Sequence, residues 1–218
     1  MISGHWEEKD FTLTSHDRPL LIYDYFGFPE HTYRIRYDAP GSPALAQRIR
    51  ELLADAGIPA RLDPARGFDH GVFIPFKLIY PSAQVPIIQL SLKAGLDPAT
   101  HLEVGRVIAP LRQEGVLIVG SGMSYHNLGG FGGGVNGISD RFDAWLTEAA
   151  CESDPSARYE KLLQWRHAPG ARNAHPREEH LIPLMVAAGA GDQDSGRKVF
   201  TDRIMGAMIS AYQFGGQF

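Results

Sequence analysis

At 218 residues the chain is long enough for one large domain or two small ones with a substantial buried core. Its apolar fraction of 44% and charged fraction of 21% are those of an ordinary globular protein, and a net charge of −4 leaves no footprint for nucleic acid or an anionic membrane. A lone cysteine, Cys151, excludes an intrachain disulfide and a cysteine-based zinc site.

Ile2-Ser3-Gly4-His5-Trp6 reads as the end of a buried strand and its terminal turn. At roughly 3.3 Å per residue, too few positions precede His5 for an ordinary strand, so the chain is expected to begin inside the fold. Arg34 and Arg36 alternate with Tyr33, Ile35 and Tyr37, the pattern of a half-exposed extended edge. Leu45, Ile49, Leu52, Leu53 and Ala56 share one stripe and predict a helix over Pro43–Ala56, capped by Ser42 and ended by Gly57. Val85–Leu92 reads as a strand, with Pro86 tolerable near its beginning, and about 98–112 as a helix.

Val116-Leu117-Ile118-Val119 is apolar enough to be a strand buried on both faces, and such strands belong to parallel sheets under helices. After the glycine-rich stretch Gly129–Gly137, Phe142, Trp145, Leu146 and Ala149 recur at helical spacing, and Tyr159, Leu162 and Leu163 predict a further short helix. The glycine-rich stretch lacks the Lys-Ser/Thr of a phosphate loop and the register of a dinucleotide fingerprint, so a mobile lid or surface loop is the better reading. Alternating strands and helices predict an α/β fold: a three-layer sandwich with a largely parallel or mixed central sheet flanked by helices.

Ligands of open α/β sheets bind beyond the carboxyl ends of the strands. His126 follows the Val116–Val119 run across a small turn, Ser121-Gly122-Met123-Ser124-Tyr125, and is well placed there. His5, His70 and His180 sit in similar small-residue settings. They lie more than 50 positions apart, so no local spacing ties them together, and each taken singly reads better as a satisfied polar or surface side chain. Together they point to a metal-dependent enzyme.

Read in order, these segments resemble the class III extradiol dioxygenases, the superfamily of the protocatechuate 4,5-dioxygenase β-subunit, and within it the 4,5-DOPA dioxygenase group. The peptides that carry the likeness are Ser3-Gly4-His5-Trp6, Tyr23-Asp24-Tyr25-Phe26-Gly27-Phe28-Pro29, Tyr37-Asp38-Ala39-Pro40-Gly41-Ser42-Pro43, Gly67-Phe68-Asp69-His70-Gly71, Tyr80-Pro81 with Pro86-Ile87-Ile88-Gln89-Leu90-Ser91, the His126 segment, and His180-Leu181-Ile182-Pro183-Leu184. The likeness therefore runs over nearly the whole chain, read as one catalytic domain over residues 1–218.

The resemblance implies that His5 and His180 are metal ligands, with Gly4 standing where the family has alanine. It makes His126 the acid/base histidine, able to approach the metal when no substrate is bound, and His70 a histidine lining the substrate pocket. His175 is a weaker candidate for supporting the site. The family's Gly-His-Gly-Ser-Pro peptide, which carries a further metal-binding histidine, is not in this chain, nor is the strand expected with it; His16 and His31 match other parts of the pattern and are poor substitutes. The expected cofactor is Fe(II), whose few protein ligands leave positions open for a chelating catechol and O2; Zn(II) suits the same histidines in purified protein.

The function so implied is extradiol cleavage of a catechol-type, DOPA-like ring. The rivals are a non-catalytic or zinc-binding homologue unable to hold a complete iron site, and a zinc hydrolase using Glu178 or Glu179 as base. Arg172, near His175, reads as a surface arginine rather than the partner of a substrate carboxylate. The expected partners are a small aromatic diol and O2, with no nucleic acid and no membrane; the oligomeric state is open. No apolar run reaches the roughly 18 residues that span a bilayer, no secretion leader is expected, and the single cysteine suits a reducing compartment, so the expected location is the cytoplasm.

Overall fold

The computed structural model describes residues 1–131 and 137–216. They form two compact units, Met1–Gly95 with Val119–Ser121, and Leu96–Ile118 with Gly122–Phe218.

The first unit holds β1 (Ile2–Glu8), β2 (Phe11–Thr14), α1 (Pro43–Asp55), β3 (Ala60–Asp63), α2 (His70–Ile79), β4 (Leu90–Lys93) and β5 (Gly120–Ser121). Its five strands make one sheet in the order β3-β2-β4-β1-β5. β1 runs parallel to β4 and β5, and β2 parallel to β3, while β2 meets β4 antiparallel. The sheet is thus mixed, within the α/β architecture expected.

Helix α1 forms where its stripe predicted. Ser42 accepts a hydrogen bond from the Leu45 N–H, Pro43 occupies the first turn, and Gly57 follows the helix at φ +72°. Its buried line is Ala46, Ile49 and Leu53, whereas Ala56 lies beyond the helix and is exposed. In α2, Pro75 lacks the N–H that would bond the Gly71 carbonyl one turn back. That carbonyl accepts the Ser121 hydroxyl instead, at 2.6 Å, which ties the end of β5 to the start of α2. Phe68, Val72, Phe73 and Phe76 then pack with Tyr37, Ala39 and Ile87 into a core beneath the helix.

Four expectations need correction. Ile2–Glu8 is a full seven-residue strand, so His5 lies within β1 and not in a terminal turn. The Val116–Val119 run is not buried on both faces: Leu117 is 65% exposed, and the strand assigned there is only Gly120–Ser121, at the edge of the sheet beside β1. An apolar run declares hydrophobicity, but an edge position offers cover on fewer sides. The strand expected over Val85–Leu92 begins only at Leu90, because Pro86 has no donor and the Ile87 N–H is turned to the Pro40 carbonyl. Glu30–Arg34 is a 3-10 turn, and the extended edge expected around Arg34 and Arg36 is not a strand.

The second unit holds α3 (Pro98–Ile108), α4 (Ile138–Ala150), α5 (Pro155–Leu163), α6 (Ala171–Ala174), α7 (Ile182–Gly191), β6 (Gly196–Ile204) and β7 (Ala207–Phe214). Asp97 caps α3 through the Thr100 N–H, and beyond Ile108 the predicted helix tightens into a 3-10 turn around Pro110. Helix α7 is apolar all round and almost wholly buried. It crosses α3 at Gly105 and Gly189, where a Cβ on either would fall well under 3.0 Å from a backbone carbonyl of the other helix. This close crossing fixes the helix that follows His180. The β6–β7 hairpin was not anticipated; Met205 and Gly206, both at positive φ, make its two-residue turn. Among the described residues, no helix is long and apolar enough to cross a membrane.

Candidate functional site

The histidines singled out from the sequence fall into two clusters, one in each unit. In the first, Ile2 pairs with Leu90 but Glu7 with Leu92, so five steps along β1 face only two along β4. His5 sits in this irregular stretch, and bulges of this kind re-aim side chains. His70 opens α2, and its ring lies 4.0 Å from that of His5, centroid to centroid, tilted by 50°.

Asp24 joins the two. One carboxylate oxygen accepts both the His70 backbone N–H (2.9 Å) and the His70 Nδ1 proton (2.8 Å); the other lies 3.6 Å from His5 Nδ1. Burial alone would raise the Asp24 pKa, but the hydrogen bonds and charge of His70 outweigh it and hold the carboxyl below its usual value. Beneath the pair, Asp69 is fully buried and accepts Ser3 Oγ at 2.8 Å, with Gln89 and Arg66 as further partners.

In the second cluster, the turn after β5 meets the segment before α7. The Met123 N–H donates to the His180 carbonyl at 3.0 Å, and the His126 N–H to the Ala174 carbonyl at 2.9 Å. Gly122 lies so close to the His180 carbonyl that a Cβ there would stand well under 3.0 Å from it. The rings of His126 and His180 stack at 3.4 Å with 18° between their planes. Glu179 Oε1 lies 3.0 Å from His180 Nδ1 and 3.4 Å from His126 Nδ1. Burial lowers the His126 pKa and outweighs the opposing pull of Glu179, so this imidazole is neutral at neutral pH and able to accept a proton.

In both clusters a carboxylate stands beside the Nδ1 atoms of two imidazoles, and one potential ligand atom from each of the three residues lies within 4.8 Å of the others. Nitrogen and oxygen donors so spaced fit a divalent transition metal. His16 and His31 belong to neither cluster; His16 Nδ1 accepts the Arg18 N–H. The glycine-rich loop reading falls largely on Gly132–Asn136, outside the described residues.

His175 is fully buried between the rings of Phe142 and Trp165, and its Nε2 donates to the Ser124 carbonyl at 3.1 Å. It therefore braces the turn that carries His126. Burial pushes its pKa down to about 4, while an unfolded histidine titrates near 6.5. Below about pH 6.5 the unfolded chain takes a proton that the folded chain refuses, so this contribution to stability is present at pH 7 and is lost as pH falls toward 4. The expected loss is on the order of 3 kcal/mol. Urea unfolding at pH 7 and pH 4.5 measures it; a His175→Gln variant showing the same drop would assign it elsewhere.

Arg172 donates to Glu178 at 2.6 Å and stacks over Trp165, and Arg166 also grips Glu178. Both are committed to the protein, and Glu178 is a buried, doubly paired anion rather than a base. Asp24 and Glu179 are the site residues sequence reasoning undervalued. In the sequence Asp24 lies within an aromatic peptide and Glu179 reads as a rival base; adjacency to His180 is its one local signal.

The family described as the catalytic LigB subunit of aromatic ring-opening dioxygenase matches residues 1–215. The chain is 38% identical to the 4,5-DOPA dioxygenase extradiol of Beta vulgaris, over 98% of this chain and 81% of that protein. It is 37% identical to the protein of the same name from Escherichia coli K12, over 88% of this chain and 72% of that one. A crystal structure of an uncharacterized Escherichia coli K12 protein superposes with a TM-score of 0.80 at 31% identity, covering 97% of this chain and 84% of the other.

Proposed function

We propose, from the premise that this chain belongs to the LigB family of aromatic ring-opening dioxygenases, that it performs extradiol cleavage of a DOPA-like catechol with O2 and Fe(II). The metal ligands in this reading are His5 and His180, with His126 as the acid/base that can approach the metal when no substrate is bound, and His70 contacting the substrate. Residues 1–218 are read as one catalytic domain, of which the family match covers 1–215.

The observation that carries the reading is the pairing of imidazoles and carboxylate at His126, Glu179 and His180, with its counterpart at His5, Asp24 and His70. Bound Fe(II) would supply open coordination positions and an accessible redox change, which together let a catechol and O2 exchange electrons. The chain's own work is proton handling. His126, neutral at working pH, takes a catechol hydroxyl proton and returns it to a product oxygen. Glu179 holds the His180 ring through Nδ1 and so fixes its orientation. The single cysteine fits a cytoplasmic setting.

Glu179, beside both rings, is also where a zinc hydrolase would need its base, and this keeps that second reading alive. One experiment separates the two. Protein reconstituted with Fe(II) and given catechols under O2 is expected to form a yellow ring-opened product, and the Zn(II) form is expected to form none, since zinc has no redox change to offer. A zinc form that hydrolyses esters or amides while the iron form leaves every catechol intact would overturn the proposal.

A further inference from the structure

Asp24 has no role assigned by the family pattern carried over above, yet it makes two short polar contacts with His70. Its Oδ1 accepts two bonds from one residue, the His70 backbone N–H at 2.9 Å and Nδ1 at 2.8 Å. The first satisfies one of the N–H groups that a helix leaves without an internal partner at its start, and it sets a negative charge at the positive end of α2. The second has a chemical consequence. An ionised carboxylate only accepts, so the proton in this contact is carried by Nδ1. A neutral imidazole has one N–H; with Nδ1 holding it, Nε2 is left as a bare acceptor. The ring is also held from the side, by the edge of Tyr25 at 5.5 Å and 88°. The Tyr25 hydroxyl is itself committed to the Thr32 carbonyl at 2.6 Å, so this wall presents its ring and not its oxygen.

We infer that Asp24 is a positioning residue that locks His70 as the Nδ1–H tautomer, so that His70 meets its ligand through Nε2 as a hydrogen-bond acceptor. For the neutral ring, the group it recognises is then a donor, such as the hydroxyl of an aromatic diol still carrying its proton. This deepens the proposed function and rests on it only for the identity of the ligand. The tautomer itself does not depend on metal or substrate.

The test uses metal-free protein labelled with nitrogen-15 at histidine, at mildly alkaline pH, with His70→Gln to assign the resonances. The expected spectrum shows His70 Nδ1 as a protonated nitrogen and Nε2 as a bare one. Asp24→Ala should move both signals toward the average of the two tautomers, and Asp24→Asn, which keeps an acceptor oxygen, should restore most of the wild-type pattern. In the iron-loaded enzyme, Asp24→Ala should lower kcat/KM for a catechol by about 10–100-fold, the usual effect of losing a carboxylate behind a functional histidine, with Asp24→Asn intermediate. His70 signals unmoved in Asp24→Ala, or a wild-type His70 with its proton on Nε2, would overturn the inference. Correct tautomers in a protein that cleaves no catechol would instead retire the ring-cleavage reading and leave the positioning role standing.

Discussion

Replacing His126 with alanine is expected to lower kcat for catechol cleavage by about 10²–10⁴-fold, the range that a positioned general acid/base contributes. The expectation rests on its setting. The ring is half-buried and stacked on His180, its Nδ1 is 3.4 Å from a Glu179 oxygen, and burial keeps it unprotonated at neutral pH. Substrate binding draws mainly on other groups in this reading, so KM should change much less than kcat. The profile of kcat/KM against pH offers a second check. A base with a lowered pKa places the acid limb of the wild-type profile below the ordinary histidine value of 6.5, and residual activity of the variant should lack that limb. Metal content and thermal stability, measured on the same sample, show that the protein is loaded and folded. A loaded, folded variant that keeps its turnover removes His126 from the chemistry.

What could be read before the fold was known follows from how local each signal is. Helix α1 was legible to within a residue because its cap, its first-turn proline, its stripe and its closing glycine are all contiguous. The Val116–Val119 run misled because burial belongs to the sheet and not to the run; the same residues at a central position would have been covered on both faces. The histidines could be picked out by their small-residue settings and by family pattern, whereas of their carboxylate partners only Glu179, adjacent to His180, carried a local signal. Asp24 is 46 positions from His70, and nothing in Tyr23-Asp24-Tyr25 marks it as a partner. His175 shows the reverse case. It lies in a peptide that resembles a site, yet it is a buried core residue whose Nε2 bonds the Ser124 carbonyl. Composition separates a buried brace from a reactive side chain only when the residues packed around it are known.

Gly122→Ala should be the most damaging single methyl in the second cluster. Where an added Cβ meets the end of a side chain, that side chain can swing away. At Gly122 it would meet the His180 backbone carbonyl, with the carbonyl carbon and Cα behind it, and none of these can rotate aside. Either the turn after β5 or the segment leading into α7 must move, and the 3.0 Å bond from the Met123 N–H to that same carbonyl is lost in the process. Helix α7 resists, being buried and locked against α3 at Gly105 and Gly189. Overpacking of this kind costs about 1–3 kcal/mol, and the broken hydrogen bond about 1 more. For a chain of this length that corresponds to a fall in Tm of roughly 5–10 °C. Because the displaced carbonyl belongs to His180 and the displaced turn carries His126, the stacked pair should separate. A shift of about 1 Å in a reacting group can cost ~10²-fold in rate, so kcat/KM should fall by that order even at temperatures where the variant is fully folded. Gly129→Ala is the matched control: its added Cβ would meet only the Asn127 amide oxygen at an ordinary 3.6 Å, and its stability should stay within about 0.5 kcal/mol of wild type. Equal melting temperatures and equal turnover for the two variants would show that the His180 carbonyl does not stand where this structure puts it.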